Sequence, residues 1–125
     1  MTLKEVLAAK GRHRVVTVSS KSSVADAIRT MHAEKVGAVM VPDAEGCPVG
    51  IFTERDVLRA VGSDFDAEHH AVSEFMTKDP KTIGPDVDGH EALESMFAFG
   101  IRHLPVVDEG RVVGIVSMRD VTRRG

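Results

Sequence analysis

Val49-Gly50-Ile51-Phe52-Thr53-Glu54-Arg55-Asp56-Val57 returns 64 positions later as Val113-Gly114-Ile115-Val116-Ser117-Met118-Arg119-Asp120-Val121. Upstream the correspondence continues: Thr17-Val18 matches Thr82-Ile83, Ala27-Ile28 matches Ala92-Leu93, and Met31 matches Met96. These pairs lie 65 positions apart, and Asp43-Ala44-Glu45-Gly46 against Asp108-Glu109-Gly110 absorbs the difference of one residue, as a turn can. A repeat of this length is a whole folding unit. Each half of a 125-residue chain is too small to bury an adequate core by itself, so the halves are expected to pack on each other.

Each copy opens with a short β-prone piece, Val15 to Val18 and Lys81 to Ile83. A helix is expected next, because Val24, Ala27, Ile28 and Met31 share one face at helical spacing. Its start carries a capping-type pair, Ser23 with Asp26, and the second copy has Asp88 with Glu91. Val36 to Val41 and Leu104 to Val107 are β-branched and apolar, as in buried strands. Acidic, glycine-containing turns then lead to Val49 to Phe52 and Val112 to Val116, making hairpins. Thr53 and Ser117 open a last helix, which in the first copy carries Val57, Leu58 and Val61. The unit is β-α-β-β-α, twice, in the α+β class. Residues 1–11 read as an amphipathic helix, with Leu3, Val6 and Leu7 on one face and a stop at Gly11. The domain organisation is therefore a helix at 1–11, a first repeat at 12–62, a polar linker at 63–71 and a second repeat at 72–125.

Composition narrows the function. A net charge of −3 disfavours a phosphate-backbone binder, and the absence of Trp and Tyr disfavours a base-stacking platform for nucleic acid. No apolar run approaches the roughly 20 residues that span a bilayer. The lone Cys47 cannot form an internal disulfide, and no secretory-type stretch opens the chain, so a reducing, cytoplasmic setting is expected.

The polar residues kept by the repeat are a hydroxyl and an acid three positions apart, Thr53 with Asp56 and Ser117 with Asp120. Such a pair at a strand-to-helix junction makes a capping box. The same geometry serves a ligand, since a hydroxyl beside free amides can hold a phosphate and a carboxylate accepts from the two hydroxyls of a ribose. Spacing does not separate these readings.

The motifs Gly37-Ala38-Val39-Met40-Val41, Val49 to Asp56, Phe75-Met76-Thr77-Lys78-Asp79-Pro80, Arg102-His103-Leu104-Pro105-Val106-Val107-Asp108 and Gly114 to Asp120, in this order and repetition, resemble a tandem pair of CBS domains, the Bateman module. The resemblance implies two repeats packed about a pseudo-two-fold axis, and a stand-alone regulatory module rather than an enzyme. Its ligands would be adenosine-containing, AMP, ADP or ATP, with NAD(H) and S-adenosylmethionine as alternatives, bound in clefts between repeats. Carried onto this chain, the resemblance nominates Asp56 and Asp120 for ribose, Thr53 and Ser117 for phosphate, and Thr17, Val18, Thr82 and Ile83 for the base. Gly37, Ala38 and Val39 in one copy, with Arg102, His103, Leu104 and Pro105 in the other, complete the set. Arg102 and His103 favour negative ligand charge where the first copy has Gly37-Ala38, and which of the two acids they serve stays open. Arg55 and Arg119 are either ligand contacts or members of local ion pairs. Such modules commonly pair into flat homodimers, for which the final helices, Val57 and Leu58 included, offer apolar surface. Two other functions compete: a purely structural interaction module whose motifs are only caps, and a nucleotide-acting enzyme.

Other groups carry less. His69-His70 lack a third metal ligand at a recognisable spacing, and His13, His32 and His90 are scattered. Cys47 has no nearby His to activate it. Met31, Met40, Met76 and Met96 sit like core fillers. Neither a Walker loop nor a dinucleotide-binding glycine turn is present, so no catalytic cofactor is expected.

Overall fold

Strand pairing in the computed structural model follows the repeat. The structure describes residues 1–11, 15–62 and 66–124. They group into two units, one of residues 16–80 and one of residues 1–15 with 81–125.

In the unit of residues 16–80, α2 (Val24–Glu34) starts where Ser23 accepts a hydrogen bond from the Asp26 amide, and stops at Lys35 in the left-handed conformation. β1 (Ala38–Pro42) and β2 (Pro48–Thr53) form an antiparallel hairpin with Ala38 opposite Thr53. Asp43 shapes its turn by accepting from the amides of Glu45 and Cys47. α3 (Glu54–Gly62) follows β2 directly. A 3₁₀ turn at Val72–Glu74 leads to β3 (Thr77–Lys78), which adds to β2 with Thr77 opposite Ile51. Val24, Ala27, Met31, Val39, Val41, Phe52 and Val72 make the core. Phe52 is fully buried there, and its truncation to Ala would cost about 3–5 kcal/mol.

In the other unit, α1 (Leu3–Lys10) begins with a reciprocal capping box between Thr2 and Glu5 and ends at Gly11 with φ 73°. α4 (Gly89–Phe99) precedes the hairpin of β4 (His103–Asp108) and β5 (Arg111–Ser117), and α5 (Met118–Arg124) closes the unit. Glu109 and Gly110 both have positive φ, the conformation a two-residue hairpin turn of right-handed twist requires. Leu3 and Val6 enter a core with Ala92, Met96, Leu104, Val106, Val116 and Val121, so the apolar face of α1 finds its partner here.

Some expectations are corrected. The β-prone pieces at 15–18 and 81–83 are not strands but single parallel bridges, Thr17 with Met40 and Ile83 with Val106, because only one residue of each meets its hairpin in register. Asp88 caps α4 through the His90 amide, one residue before Glu91. Val57 packs against the core of its unit, which leaves Leu58, 73% exposed, and Val61 as the apolar surface of α3. Residues 66–80 pack with residues 16–62. His70 and Ala67 do this by accepting from the Val24 and Ala25 amides at the open end of α2. Residues 63–65 of the expected linker, and His13, lie outside the described residues.

Candidate functional site

Each hydroxyl–acid pair stands where a hairpin strand turns into a helix. The turn is tied down identically in both copies: the Glu54 amide donates to the Gly37 carbonyl at 3.1 Å, and the Met118 amide donates to the Arg102 carbonyl at 2.8 Å. These bonds place Thr53 beside Ala38 and Ser117 beside His103. Arg102 and His103 thus adjoin the Ser117–Asp120 pair within one unit.

The two carboxylates differ in what they have left to give. Asp56 is 2% exposed, and its Oδ2 accepts from the Thr53 amide at 2.9 Å and the Thr53 hydroxyl at 3.2 Å. Its Oδ1 accepts from Arg59 at 3.0 Å and from the Thr77 hydroxyl at 3.2 Å. A carboxylate offers about four lone-pair positions, and all four are taken. Asp120 is more open, with 21% of its side chain exposed. Its Oδ2 accepts from the Ser117 amide at 2.9 Å and pairs with Lys10 Nζ at 2.9 Å, while its Oδ1 takes no hydrogen bond among the described residues. Asp120 can accept from a diol as it stands, whereas Asp56 must first release a partner.

Burial acts to raise the Asp120 pKa. The Lys10 ammonium and the Ser117 amide outweigh it, and the carboxyl sits below its ordinary value of 3.8. The acid is therefore ionised at neutral pH, the form that accepts hydrogen bonds from hydroxyls.

Two segments absent from the sequence reading of the site complete it. Lys10 reaches Asp120 from α1, and Thr77 reaches Asp56 from β3. Both approach across a glycine of the repeat. A Cβ on Gly114 would lie 2.6 Å from Leu7 Cδ2, and one on Gly50 would lie 2.4 Å from Met76 Sδ. A glycine inside a strand signals a close approach, so the repeated Gly50 and Gly114 were the available sign. They do not say which residue approaches.

The remaining nominees divide. Thr17 and Thr82 are exposed, each on the short piece that bridges to its hairpin. The Val18 amide donates to the Met40 carbonyl, and the Ile83 amide and carbonyl are both used by the sheet. Val39 and Leu104 are buried, and Ala38 and Pro105 are buried beside them. Gly37 contributes its carbonyl to the turn. Arg55, Arg119 and Arg102 are exposed. His69 and His70 pair with Asp66 and Glu74.

The class of protein follows from two copies of this motif on two hairpins: the chain belongs to the CBS domain family, whose model matches residues 3–63 and 72–125. A CBS-domain containing protein from Agrobacterium tumefaciens superposes with a TM-score of 0.91 at 38% identity, covering 98% of each chain. A CBS domain protein from Pyrobaculum aerophilum complexed with AMP has a TM-score of 0.86 at 26% identity, covering 96% of this chain and 89% of its own. The CBS domain pair of the protein MJ0100, in complex with 5′-methylthioadenosine and S-adenosyl-L-methionine, gives 0.87 at 27% identity, covering 98% and 94%. The chain spans two thirds or less of the curated relatives it matches: 66% of an uncharacterised protein of Acidianus ambivalens, 37% identical, and 21% of an inosine-5′-monophosphate dehydrogenase of Methanocaldococcus jannaschii, 39% identical. In that larger enzyme the likeness is confined to this fraction of the length. Among the described residues no helix is long and apolar enough to cross a membrane.

Proposed function

We propose that the chain is a regulatory module that binds an adenosine-containing ligand and signals through a change in conformation or assembly. One observation carries the reading: Asp120 is ionised, partly exposed and holds an oxygen unengaged among the described residues beside Ser117, as acceptance of a ribose diol requires. Asp120 anchors the ribose, the Ser117 hydroxyl and Arg102 with His103 receive the anionic end, and Thr82 faces the base. The Thr53–Asp56 pair is a second anchor that opens only when Arg59 or Thr77 lets go, and until then it caps α3. Two solved relatives bear on the ligand class, since AMP, 5′-methylthioadenosine and S-adenosylmethionine share an adenosine. AMP, ADP and ATP are the first ligands to test, with NAD(H) and S-adenosylmethionine next. Pairing of two copies through the exposed Leu58 and Val61 is one route by which occupancy becomes a signal.

A thermal-shift panel of these six compounds tests the reading. A ligand at one hundred times its Kd adds about 2.7 kcal/mol to stability, a rise of several degrees. No shift with any of them would leave the motifs as caps and the module as structural.

A further inference from the structure

The two acids are approached from outside their own repeat motif by different chemistry. Thr77, neutral, donates to Asp56, while Lys10, a cation, donates to Asp120. The position of Lys10 is set by packing. Leu7 lies over Gly114, and one turn later Lys10 Nζ donates to the Ile115 carbonyl at 3.0 Å and pairs with Asp120 at 2.9 Å. An ammonium has three donors, and among the described residues these two partners leave the third unassigned on a side chain that is 27% exposed. In the other unit the cation on the acid is Arg59, whose NH2 nitrogen is also committed to the Phe75 carbonyl.

Resting on the reading of Asp120 as the ribose anchor, we infer that Lys10 is the specificity-determining residue of that site, selecting adenosine ligands with an anionic 5′ group over those without one. Lys10 Nζ and the Ser117 amide share Asp120 Oδ2, each at 2.9 Å, which sets the ammonium beside the residue whose hydroxyl receives the anionic end of the ligand in the reading above. A phosphate there accepts a charge-assisted hydrogen bond that a neutral 5′ hydroxyl matches only weakly. Lys10 thereby adds to Arg102 a second cation from a different element of the same unit.

Calorimetric titration of the full chain with AMP and with adenosine tests this. The unmodified chain is expected to bind AMP about tenfold or more tightly than adenosine. In Lys10→Met and Lys10→Gln that ratio falls about tenfold while adenosine affinity changes less than about threefold, and Lys10→Arg keeps the ratio. A merely structural lysine would weaken both ligands alike. An AMP-to-adenosine ratio unchanged in Lys10→Met and Lys10→Gln overturns the assignment of Lys10 alone. Failure of the unmodified chain to bind either compound overturns the functional reading and this inference together.

Discussion

Replacing Asp56 by Ala should destabilise the protein about twice as much as replacing Asp120. The Asp56 carboxylate closes a capping box with Thr53, and losing a cap of this kind costs about 1 kcal/mol. The Thr53 amide is left in a site from which the 2%-exposed Asp56 had excluded water, and an unsatisfied donor costs a further 1–3 kcal/mol or so. The Arg59 ion pair adds little, because that guanidinium is 59% exposed and keeps the Phe75 carbonyl. The total is about 3 kcal/mol. At Asp120 the cap is the same, but with 21% of the side chain exposed water can replace the lost acceptor, so about 1.5 kcal/mol is expected. For a chain of this length each kcal/mol lowers the melting temperature by roughly 4 °C, giving about 12 °C for Asp56→Ala and about 6 °C for Asp120→Ala. Urea unfolding followed by circular dichroism at pH 7, with calorimetric melting beside it, reads the difference. Equal losses, or a greater loss at Asp120, would refute the division of the two acids into a buried cap and an open acceptor.

Other outcomes follow from the same structure. The Asp120 carboxyl titrates below 3.8 when folded, so its stabilising contribution is complete above that ordinary value and is lost as pH falls through the lower folded one. Lys10→Met removes the main opposing influence to burial, and carboxyl NMR should show the Asp120 midpoint rise; an unmoved midpoint would contradict the pairing. Gly114→Ala drives a methyl into Leu7 and should cost about 1–3 kcal/mol in urea unfolding while displacing Lys10 from Asp120, whereas a neutral effect would mean α1 does not rest on β5. Lys35 ends α2 at φ 57° where Gly100 ends α4 at φ 65°, so Lys35→Gly should stabilise by about 0.5–1 kcal/mol, and destabilisation on melting would count against that left-handed cap.

Much of this was legible in the sequence because it is local. The hairpins follow from β-branched runs around glycine turns, α1 ends at Gly11 as read, and the α2 face of Val24, Ala27 and Met31 is buried as its spacing demands. The first strands reduce to single bridges, since Val15 to Val18 has strand composition but pairs in register only at Thr17, with the Val16 carbonyl and the Val18 amide both bonded to Met40. The family was legible too, from the order and repetition of motifs that singly mean little. What the repeat concealed is the inequality of its acids. Thr53–Asp56 and Ser117–Asp120 look alike because capping and ligand binding ask for the same spacing. The residues that distinguish them, Thr77 and Lys10, lie outside the repeated stretch and arrive only through tertiary packing over Gly50 and Gly114.

Calorimetric titration of AMP into the unmodified chain and into Asp120→Asn tests the central claim most directly. Asparagine keeps one acceptor for the Ser117 amide but gives up the charge that holds Lys10 and the second acceptor that a diol uses. The account predicts saturable binding to the unmodified chain, weakened about tenfold or more in the variant while circular dichroism shows the fold retained. Equal affinity in both would contradict it.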